Sequence, residues 1–438
     1  MALVLEGYDL LMYGTVVPSL LTYAPWDLDA TDVGMLGSLT GIGMLVGALL
    51  AAAVADRWGR RRTLLAAVVT FSTAMGACAI APTPEVFGAG RFAVGLGAGV
   101  LMPTAAATLI EFAEPRAQAR PVAMGFVGTC IGGILAGVLS LWLVPTHGFR
   151  SMFLAGMVPA LMFLPLMLAF LPESPAYLAF RGEHAAAAAI ADRYGVERTA
   201  APTSTTPSRD RGRAPGEIPL GAGRCLHALF GMHRTLTTLL FWCMTLLCLL
   251  VLFGVATWLP ALMKSAGYPL GASLSFLLTL NIGGALGALG GAVLADRYGI
   301  KPVTAAFFLC AAIALLLVTT TPPLVVVYLL VLLAGVGTTG TQILLNTFIG
   351  SHYPASNRAT GLGMALGVGR IGAIVGPTYG GVLVAIGTGT NWQLAAFAAP
   401  AVVGAILTVL VPQRTPIHRF AQTRRASAAA DIDRNAVS

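Results

Sequence analysis

The chain of 438 residues is 57% hydrophobic and only 10% charged, whereas an ordinary soluble domain has roughly 25% charged residues. This composition excludes a soluble globular enzyme and supplies apolar residues for about twelve membrane spans of roughly 20 residues each. The net charge of +8 does not indicate nucleic-acid binding, because the basic residues are not gathered in one patch.

Apolar runs and the residues that break them predict twelve membrane-spanning helices, six on each side of a polar central segment. The predicted spans lie near 1–24, 33–55, 63–82, 84–112, 121–145, 151–171, 239–260, 272–295, 302–321, 324–349, 359–386 and 391–411. The expected parts are a six-helix bundle (1–171), a cytoplasmic central loop (172–238), a second six-helix bundle (239–411) and a cytoplasmic tail (412–438).

The central loop divides into two segments of different composition. Residues 179–195 are Ala-rich and are expected to form a helix, whereas residues 198–216 are rich in Pro, Ser, Thr and Arg, which is typical of disordered chain.

The positions of the basic residues predict the orientation in the membrane. With the N-terminus inside, 22 of the 26 Lys and Arg residues fall in cytoplasmic segments. The positive-inside rule then predicts a multi-pass protein of the cell membrane with both termini in the cytoplasm. No cleavable signal peptide is expected, because the first apolar run carries Glu6 and Asp9.

An internal repeat relates the two halves through a constant offset of 240 residues. Residues 43–59 (GMLVGALLAAAVADRWG) correspond to residues 283–299 (GGALGALGGAVLADRYG), and the same offset pairs Gly95 with Gly335 and Gly132 with Gly372. A constant register over several spans predicts two similar bundles, which is the architecture of alternating access.

Four short motifs carry a resemblance to a known family. They are ADRWGRRR after the second span, ADRYGIKP after the eighth, RFAVGLGAG in the fourth and LPESP after the sixth. Together they resemble the signature loops of the major facilitator superfamily. The resemblance implies an all-α membrane protein with twelve transmembrane helices in two pseudo-symmetric six-helix bundles, the major facilitator fold.

The turn after the second span places a carboxylate and several guanidinium groups around a glycine. In similar transporters this carboxylate meets the N-terminus of a helix in the other half, where the helix dipole favours an anion, and so closes the cytoplasmic side. Glu111 and Glu114 are expected partners for the arginines, although a purely topological basic loop is the alternative. The gating residues implied are Asp56, Arg57, Gly59, Arg60, Glu111, Asp296 and Arg297.

Four charged residues, Glu6, Asp9, Arg91 and Arg370, lie within predicted spans, where a charge costs about 2.5 to 3.5 kcal/mol. A buried carboxylate is stable when ionised beside an arginine or when protonated, and alternation between the two states couples transport to protons. We expect Asp9 to carry the proton, with Glu6 on the same helix face and Arg91 as the partner of Asp9. The alternative is a structural ion pair between two helices.

Arg370 lies near the membrane midplane, and the spans of the second half contain no acidic residue to neutralise it. A substrate carboxylate could do so through a bidentate hydrogen bond, although pairing with Glu6 or Asp9 is the alternative. Further candidates for the binding site are polar and aromatic, and each has a packing role as its alternative. They are Gln342, Asn346, Asn281, Tyr8, Trp258 and Tyr379.

The segments Glu6-Gly7-Tyr8-Asp9, Trp258-Leu259-Pro260, Gly369-Arg370-Ile371-Gly372 and Gly376-Pro377 resemble the aromatic acid:proton symporters. That family usually has Asp where this chain has Glu6. The resemblance implies proton-coupled import of an aromatic or related organic carboxylate. The expected partners are this anion, protons and the lipid bilayer, and no nucleic acid, cofactor or metal is expected. The proton gradient is the expected energy source, and the protein is expected to be a monomer.

Three alternatives remain. A sugar:proton symporter shares the Gly-Tyr-Asp segment and Arg91, but typically ends in a PETKG-like motif where this chain has Val411-Pro412-Gln413-Arg414. A drug/proton antiporter has its Gly-Pro motif in the fifth span rather than the eleventh. A non-transporting membrane sensor would require a folded cytoplasmic domain. The six His residues form no catalytic constellation, so no enzyme is expected.

Overall fold

The computed structural model describes residues 2–112, 119–194, 235–320, 322–353, 358–387 and 389–412. The helices of its first half are α1 (Ala2–Leu20), α2 (Ala30–Trp58), α3 (Arg60–Ile80), α4 (Pro84–Glu111), α5 (Ala119–His147), α6 (Arg150–Phe170), α7 (Pro175–Phe180) and α8 (His184–Tyr194). Those of its second half are α9 (Thr235–Ser265), α10 (Leu270–Tyr298), α11 (Ile300–Val318), α12 (Leu324–Gly335), a π-helical turn (Val336–Gly340), α13 (Thr341–His352), α14 (Arg358–Ala385) and α15 (Thr390–Leu410).

The predicted spans correspond to long helices of the structure. Within the described residues, ten helices are long and apolar enough to cross a membrane, and Leu324–His352 counts as one of them. The remaining two spans are α1, which carries Glu6 and Asp9, and α5, whose described apolar segment is Ile131–His147. The Ala-rich helix expected at 179–195 is α8, whereas the segment 198–216 and the tail after residue 412 lie outside the described residues.

Two one-residue turns end the repeated segment. Gly59 joins α2 to α3 with φ +88°, and Gly299 joins α10 to α11 with φ +91°. Only glycine adopts this backbone conformation without strain, so each turn requires it. We call the end of the molecule that carries these two turns the turn end, and the end that carries residues 21–29 the loop end.

The repeat of the sequence is also a repeat of packing. A side chain at Gly43 would strike the carbonyl oxygen of Phe92, and one at Gly283 would strike that of Leu332, which is the same contact displaced by 240 residues. Gly95 against the Thr40 carbonyl likewise corresponds to Gly335 against the Leu280 carbonyl. Small residues that let two helix backbones touch are the usual means of packing helices in membranes. Both halves are therefore built on one plan.

The two halves meet near the loop end. The Ser38 hydroxyl of α2 donates to the Ile374 carbonyl of α14 at 2.5 Å and lies 2.7 Å from the Thr378 hydroxyl. Gly34 packs against the backbone of Pro377, and Gly14 of α1 packs against Ala256 of α9. These contacts join the halves without any charged group.

The face of α14 between Arg370 and the turn end borders open space among the described residues, and we call this space the cleft. Gly363, Gly367 and Arg370 share one face of α14, and a side chain at either glycine would meet open space. Asp56 and Asp296, at the two turns, are both exposed. Among the described residues, the contacts between the halves named above lie near the loop end, and the face of α14 from Arg370 toward the turn end is open at Gly363 and Gly367.

Candidate functional site

A buried ion pair lies at the centre of the first half. Nη1 of Arg91 on α4 lies 2.5 Å from Oδ1 of Asp9 on α1, and the two side chains are 2% and 1% exposed. These are the two residues that the sequence suggested as a pair. Removing either partner would leave an uncompensated buried charge.

Aromatic rings hold the arginine in place. The guanidinium of Arg91 lies 4.6 Å from the ring centre of Tyr13 and 5.9 Å from that of Phe153. The Tyr13 hydroxyl donates to the Val33 carbonyl at 2.6 Å, which fixes its ring. Oδ2 of Asp9 and Nε of Arg91 are buried and have no hydrogen-bond partner within the described part of the chain. The pair therefore retains unused hydrogen-bonding capacity.

A cavity of about 40 Å³ adjoins this ion pair and separates the two halves. Its lining residues come from α1, α2 and α4 of the first half and from α9 and α14 of the second: Asp9, Leu10, Tyr13, Gly37, Thr40, Gly41, Met44, Arg91, Phe253, Thr257, Arg370, Ala373 and Pro377. This volume holds about three waters, and typical small-molecule sites are roughly tenfold larger. The site must expand before an aromatic ring can enter.

Arg370 faces the cavity from the second half, at the inner end of the cleft. Neither of the two ion pairs within the described ranges involves it, and its Nη2 makes a weak contact of 3.7 Å with Sδ of Met102. The alternative that Asp9 neutralises Arg370 is not seen, because Asp9 is paired with Arg91. Arg370 thus presents a cation to the cavity without a carboxylate bound to it.

Glu6 is buried one turn before Asp9, with 1% of its surface exposed. It is close enough to Arg370 and Asp9 to interact with both charges, but no salt bridge to it is formed among the described residues. Its Oε2 lacks a hydrogen-bond partner there. Gly7, between the two carboxylates, packs against the backbone of Thr129 on α5. Because glycine has no side chain, α1 and α5 can approach each other closely at this point.

Three aromatic candidates lie inside their own halves and do not line the central cavity. The Tyr8 hydroxyl donates to the Met152 carbonyl at 2.7 Å. The indole N–H of Trp258 donates to the Pro377 carbonyl at 2.8 Å. The Tyr379 hydroxyl donates to the Ala396 carbonyl at 3.0 Å. In this conformation each side chain connects two helices of one bundle.

The amide candidates also lie away from this cavity. Nε2 of Gln342 donates to Oδ1 of Asn346 at 2.9 Å, one turn along α13. Nδ2 of Asn281 donates to the Leu277 carbonyl of its own helix at 2.8 Å. These amides therefore satisfy part of their hydrogen bonding within their own helices in this conformation.

Sequence reasoning missed several residues that line the cavity. Thr40 of α2 and both Phe253 and Thr257 of α9 were not among its candidates. Phe253 and Thr257 are four residues apart and therefore share a helix face, which could have indicated a common environment. Thr40 carries no such signal.

At the turn end, the turn of the first half is held by carboxylates. Arg60 forms an ion pair with Glu111, which also accepts hydrogen bonds from the Ser174 hydroxyl (2.6 Å) and the Ala176 N–H (3.2 Å). Glu173, in the LPESP motif, accepts from the Arg61 N–H at 3.0 Å. Exposed side chains at the same end belong to Asp56, Arg57, Asp296 and Arg297, and Glu114 lies outside the described residues.

Two bundles of one packing plan, with a charged cavity between them and a cleft on one side, define a multi-pass membrane transporter. The family model described as Major Facilitator Superfamily matches residues 1–377 and again 274–432, and the chain belongs to this family. The predicted family and fold class are confirmed.

Curated relatives and solved structures are consistent with this membership. The chain is 32% identical over 421 residues to the benzoate transport protein of Acinetobacter baylyi, covering 94% of this chain and 88% of that one. It is 35% identical over 414 residues to the gentisate transporter of Corynebacterium glutamicum, covering 93% and 85%. The crystal structure of a D-xylose–proton symporter matches with a TM-score of 0.73 and 18% identity over 93% of this chain and 94% of that one, a likeness of fold alone.

Proposed function

We propose that this protein is a proton-coupled symporter that imports an aromatic carboxylate by alternating access. The observation that carries the proposal is the buried Asp9–Arg91 pair, which shares one cavity with Arg370, a residue in neither of the ion pairs of the described chain. A proton site and an anion site thus lie side by side between the two halves. Charges within membrane spans are costly and generally serve such functions.

Asp9 carries the proton in this mechanism. While Asp9 is ionised, it holds Arg91 against α1. A proton on Asp9 removes the attraction and releases Arg91 from this bond, so binding and release of the proton change the contact between α1 and α4. Glu6 lies near enough to Asp9 and Arg370 to adjust the charge balance of the site.

Arg370 binds the carboxylate of the substrate. Its planar guanidinium can donate two parallel hydrogen bonds to a carboxylate, which a lysine cannot do. Phe253, which lines the same cavity, offers an apolar surface for an aromatic ring. Relatives named for transport of benzoate and gentisate, both aromatic carboxylates, support this class of substrate over a sugar.

Orientation and gating complete the proposal. The turn end faces the cytoplasm together with both termini, so the structure is inward-open. In this proposal the chain consists of the first bundle (1–171), the cytoplasmic central loop (172–238), the second bundle (239–411) and the cytoplasmic tail (412–438). Asp56 and Asp296 are exposed here and engage the opposite half when the turn end closes. The proton gradient drives a monomer without any cofactor.

The decisive experiment is uptake into proteoliposomes with an imposed pH gradient. We expect accumulation of benzoates above equilibrium when the outside is acidic, and little accumulation of aliphatic acids or xylose. Xylose uptake without benzoate uptake would favour a sugar symporter instead. Benzoate transport that ignores both the pH gradient and the membrane potential would refute proton coupling.

A further inference from the structure

Thr40 of α2 lines the central cavity and carries a buried hydroxyl group. Thr40 is 4% exposed, and its Oγ1 is buried without a hydrogen bond within the ranges that the structure describes. Helical threonines usually donate to a carbonyl three or four residues earlier. Thr338 and Thr341 do so at 2.8 and 2.5 Å, whereas Thr40 makes no such bond.

Among the fully buried lining atoms without a partner in the described chain, the Thr40 hydroxyl is the neutral one. The other buried lining atoms without a partner in the described chain belong to the charged residues Asp9 and Arg91. Thr257, on the α9 side of the cavity, is 7% exposed. The Tyr13 hydroxyl is already used, because it donates to the Val33 carbonyl. A buried hydroxyl without a partner is unfavourable, so this position suits a water molecule or a hydroxyl group of a ligand.

The position of Thr40 relative to Arg370 can be read from the packing of α2 on α14. Gly41 packs against Ile374, which lies one turn beyond Arg370 toward the loop end. One helical turn is about 5.4 Å. Thr40 and Arg370 therefore line the cavity from facing helices at levels about one turn apart. An aromatic acid with its carboxylate at Arg370 can direct a ring substituent toward Thr40 once the site has expanded.

We infer that Thr40 hydrogen-bonds a ring hydroxyl of the substrate, and so makes the protein selective for hydroxylated aromatic carboxylates over benzoate. The inference rests on the proposed function, because the carboxylate must bind at Arg370. Water occupies the position when the substrate is absent, and the ring hydroxyl replaces it. A ring without a hydroxyl leaves the bond of Thr40 unmade or keeps a water there.

The test uses full-length protein in proteoliposomes and compares KM for benzoate with KM for its 2-, 3- and 4-hydroxy derivatives. Thr40→Val keeps the shape of the side chain and removes the hydroxyl. We expect it to raise KM for at least one hydroxylated acid about tenfold relative to benzoate, the effect of one lost hydrogen bond. Thr40→Ser, which keeps the hydroxyl, is expected to retain the wild-type ratio.

Thr104→Val is the matched control. Thr104 is also 4% exposed and its hydroxyl also lacks a partner in the described residues, but Thr104 does not line this cavity. We expect wild-type KM ratios for this variant. Thr40→Ala supplies the same comparison if valine disturbs the packing of α2.

Two outcomes would overturn the inference. Unchanged KM ratios in Thr40→Val would show that its hydroxyl does not contact the ring substituent. An equal rise in KM for benzoate and for every hydroxylated acid would show that Thr40 acts on the cavity as a whole. Failure of the wild-type protein to transport any aromatic acid would instead refute the proposed function, and the inference with it.

Discussion

The two halves of the molecule share their packing but not their charges. Gly43 against Phe92 and Gly283 against Leu332 are the same contact in two copies. The residues at the positions of Asp9 and Arg91, displaced by 240, are Leu249 and Val331. The repeat therefore determines the scaffold, whereas the buried ion pair belongs to one copy alone.

Corresponding glycine-rich spans of the two halves also differ in their helix geometry. α4 is a regular helix through residues 96–100, whereas the corresponding residues of the second half form the π-helical turn Val336–Gly340. Within this turn, Gly337 packs against the backbone of Ala311 on α11. Such turns are rare and occur frequently at functional sites. The first half thus supplies the buried ion pair, and the second half supplies Arg370 and an irregular helix.

The largest effect that this comparison predicts is for Asp9→Asn. The variant cannot alternate between ionised and protonated forms, so we expect uphill, proton-driven uptake to be abolished while substrate counterflow at equal pH continues. Asp27→Asn is the matched control, because Asp27 is exposed in the loop after α1, and asparagine tolerates its positive φ of 41°. Normal accumulation by Asp9→Asn would show that the proton site lies elsewhere.

The next largest effect concerns stability. Arg91→Met leaves Asp9 buried without its partner, and we expect the free energy of unfolding to fall by about 3 to 5 kcal/mol. Arg370→Met removes a cation that has no carboxylate bound in the structure, so we expect a much smaller change. Thermal denaturation in detergent measures both. Equal destabilisation by the two substitutions would mean that Arg370 also has a structural ion-pair role.

Arg370→Lys is expected to affect binding more than stability. The charge remains, but the fork that donates two hydrogen bonds is lost, so KM for the carboxylate should rise roughly tenfold to a hundredfold. Initial rates of uptake over a range of substrate concentrations test this expectation. An unchanged KM would place the carboxylate at another group.

The smallest effects are expected at the two turns. Asp56→Asn and Asp296→Asn each remove an exposed carboxylate, whose interaction with a helix terminus is worth about 0.3 to 1 kcal/mol. We therefore expect turnover to slow a few-fold, with KM ratios among substrates unchanged. Transport rates of the two variants at saturating substrate provide the comparison. A changed substrate range would contradict a gating role.

The sequence predicted the fold well because span length and the 240-residue repeat are physical requirements of the membrane and of helix packing. It also suggested the Asp9–Arg91 pair, since a charge in a span needs a partner. It did not predict which way the aromatic residues face. In a membrane protein both the core and the lipid-facing surface are apolar, so hydrophobic periodicity does not orient a helix.

Neighbouring residues illustrate this limit. Successive side chains on a helix point about 100° apart, so Thr257 faces the cavity while Trp258 beside it binds the Pro377 carbonyl. Tyr8 similarly points away from the cavity that its neighbour Asp9 lines, whereas Tyr13, one turn after Asp9, shares that face. Spacing from a known charged residue is therefore a better guide to this site than residue type.

The contacts between the halves near the loop end have a consequence for how the protein responds to salt and pH. Hydroxyl groups, a carbonyl and glycines form these contacts, with Ser38, Ile374 and Thr378 at their centre. Neutral contacts are not screened by ions and do not titrate. Changes in salt concentration or pH therefore do not act directly on these hydrogen bonds between Ser38, Ile374 and Thr378.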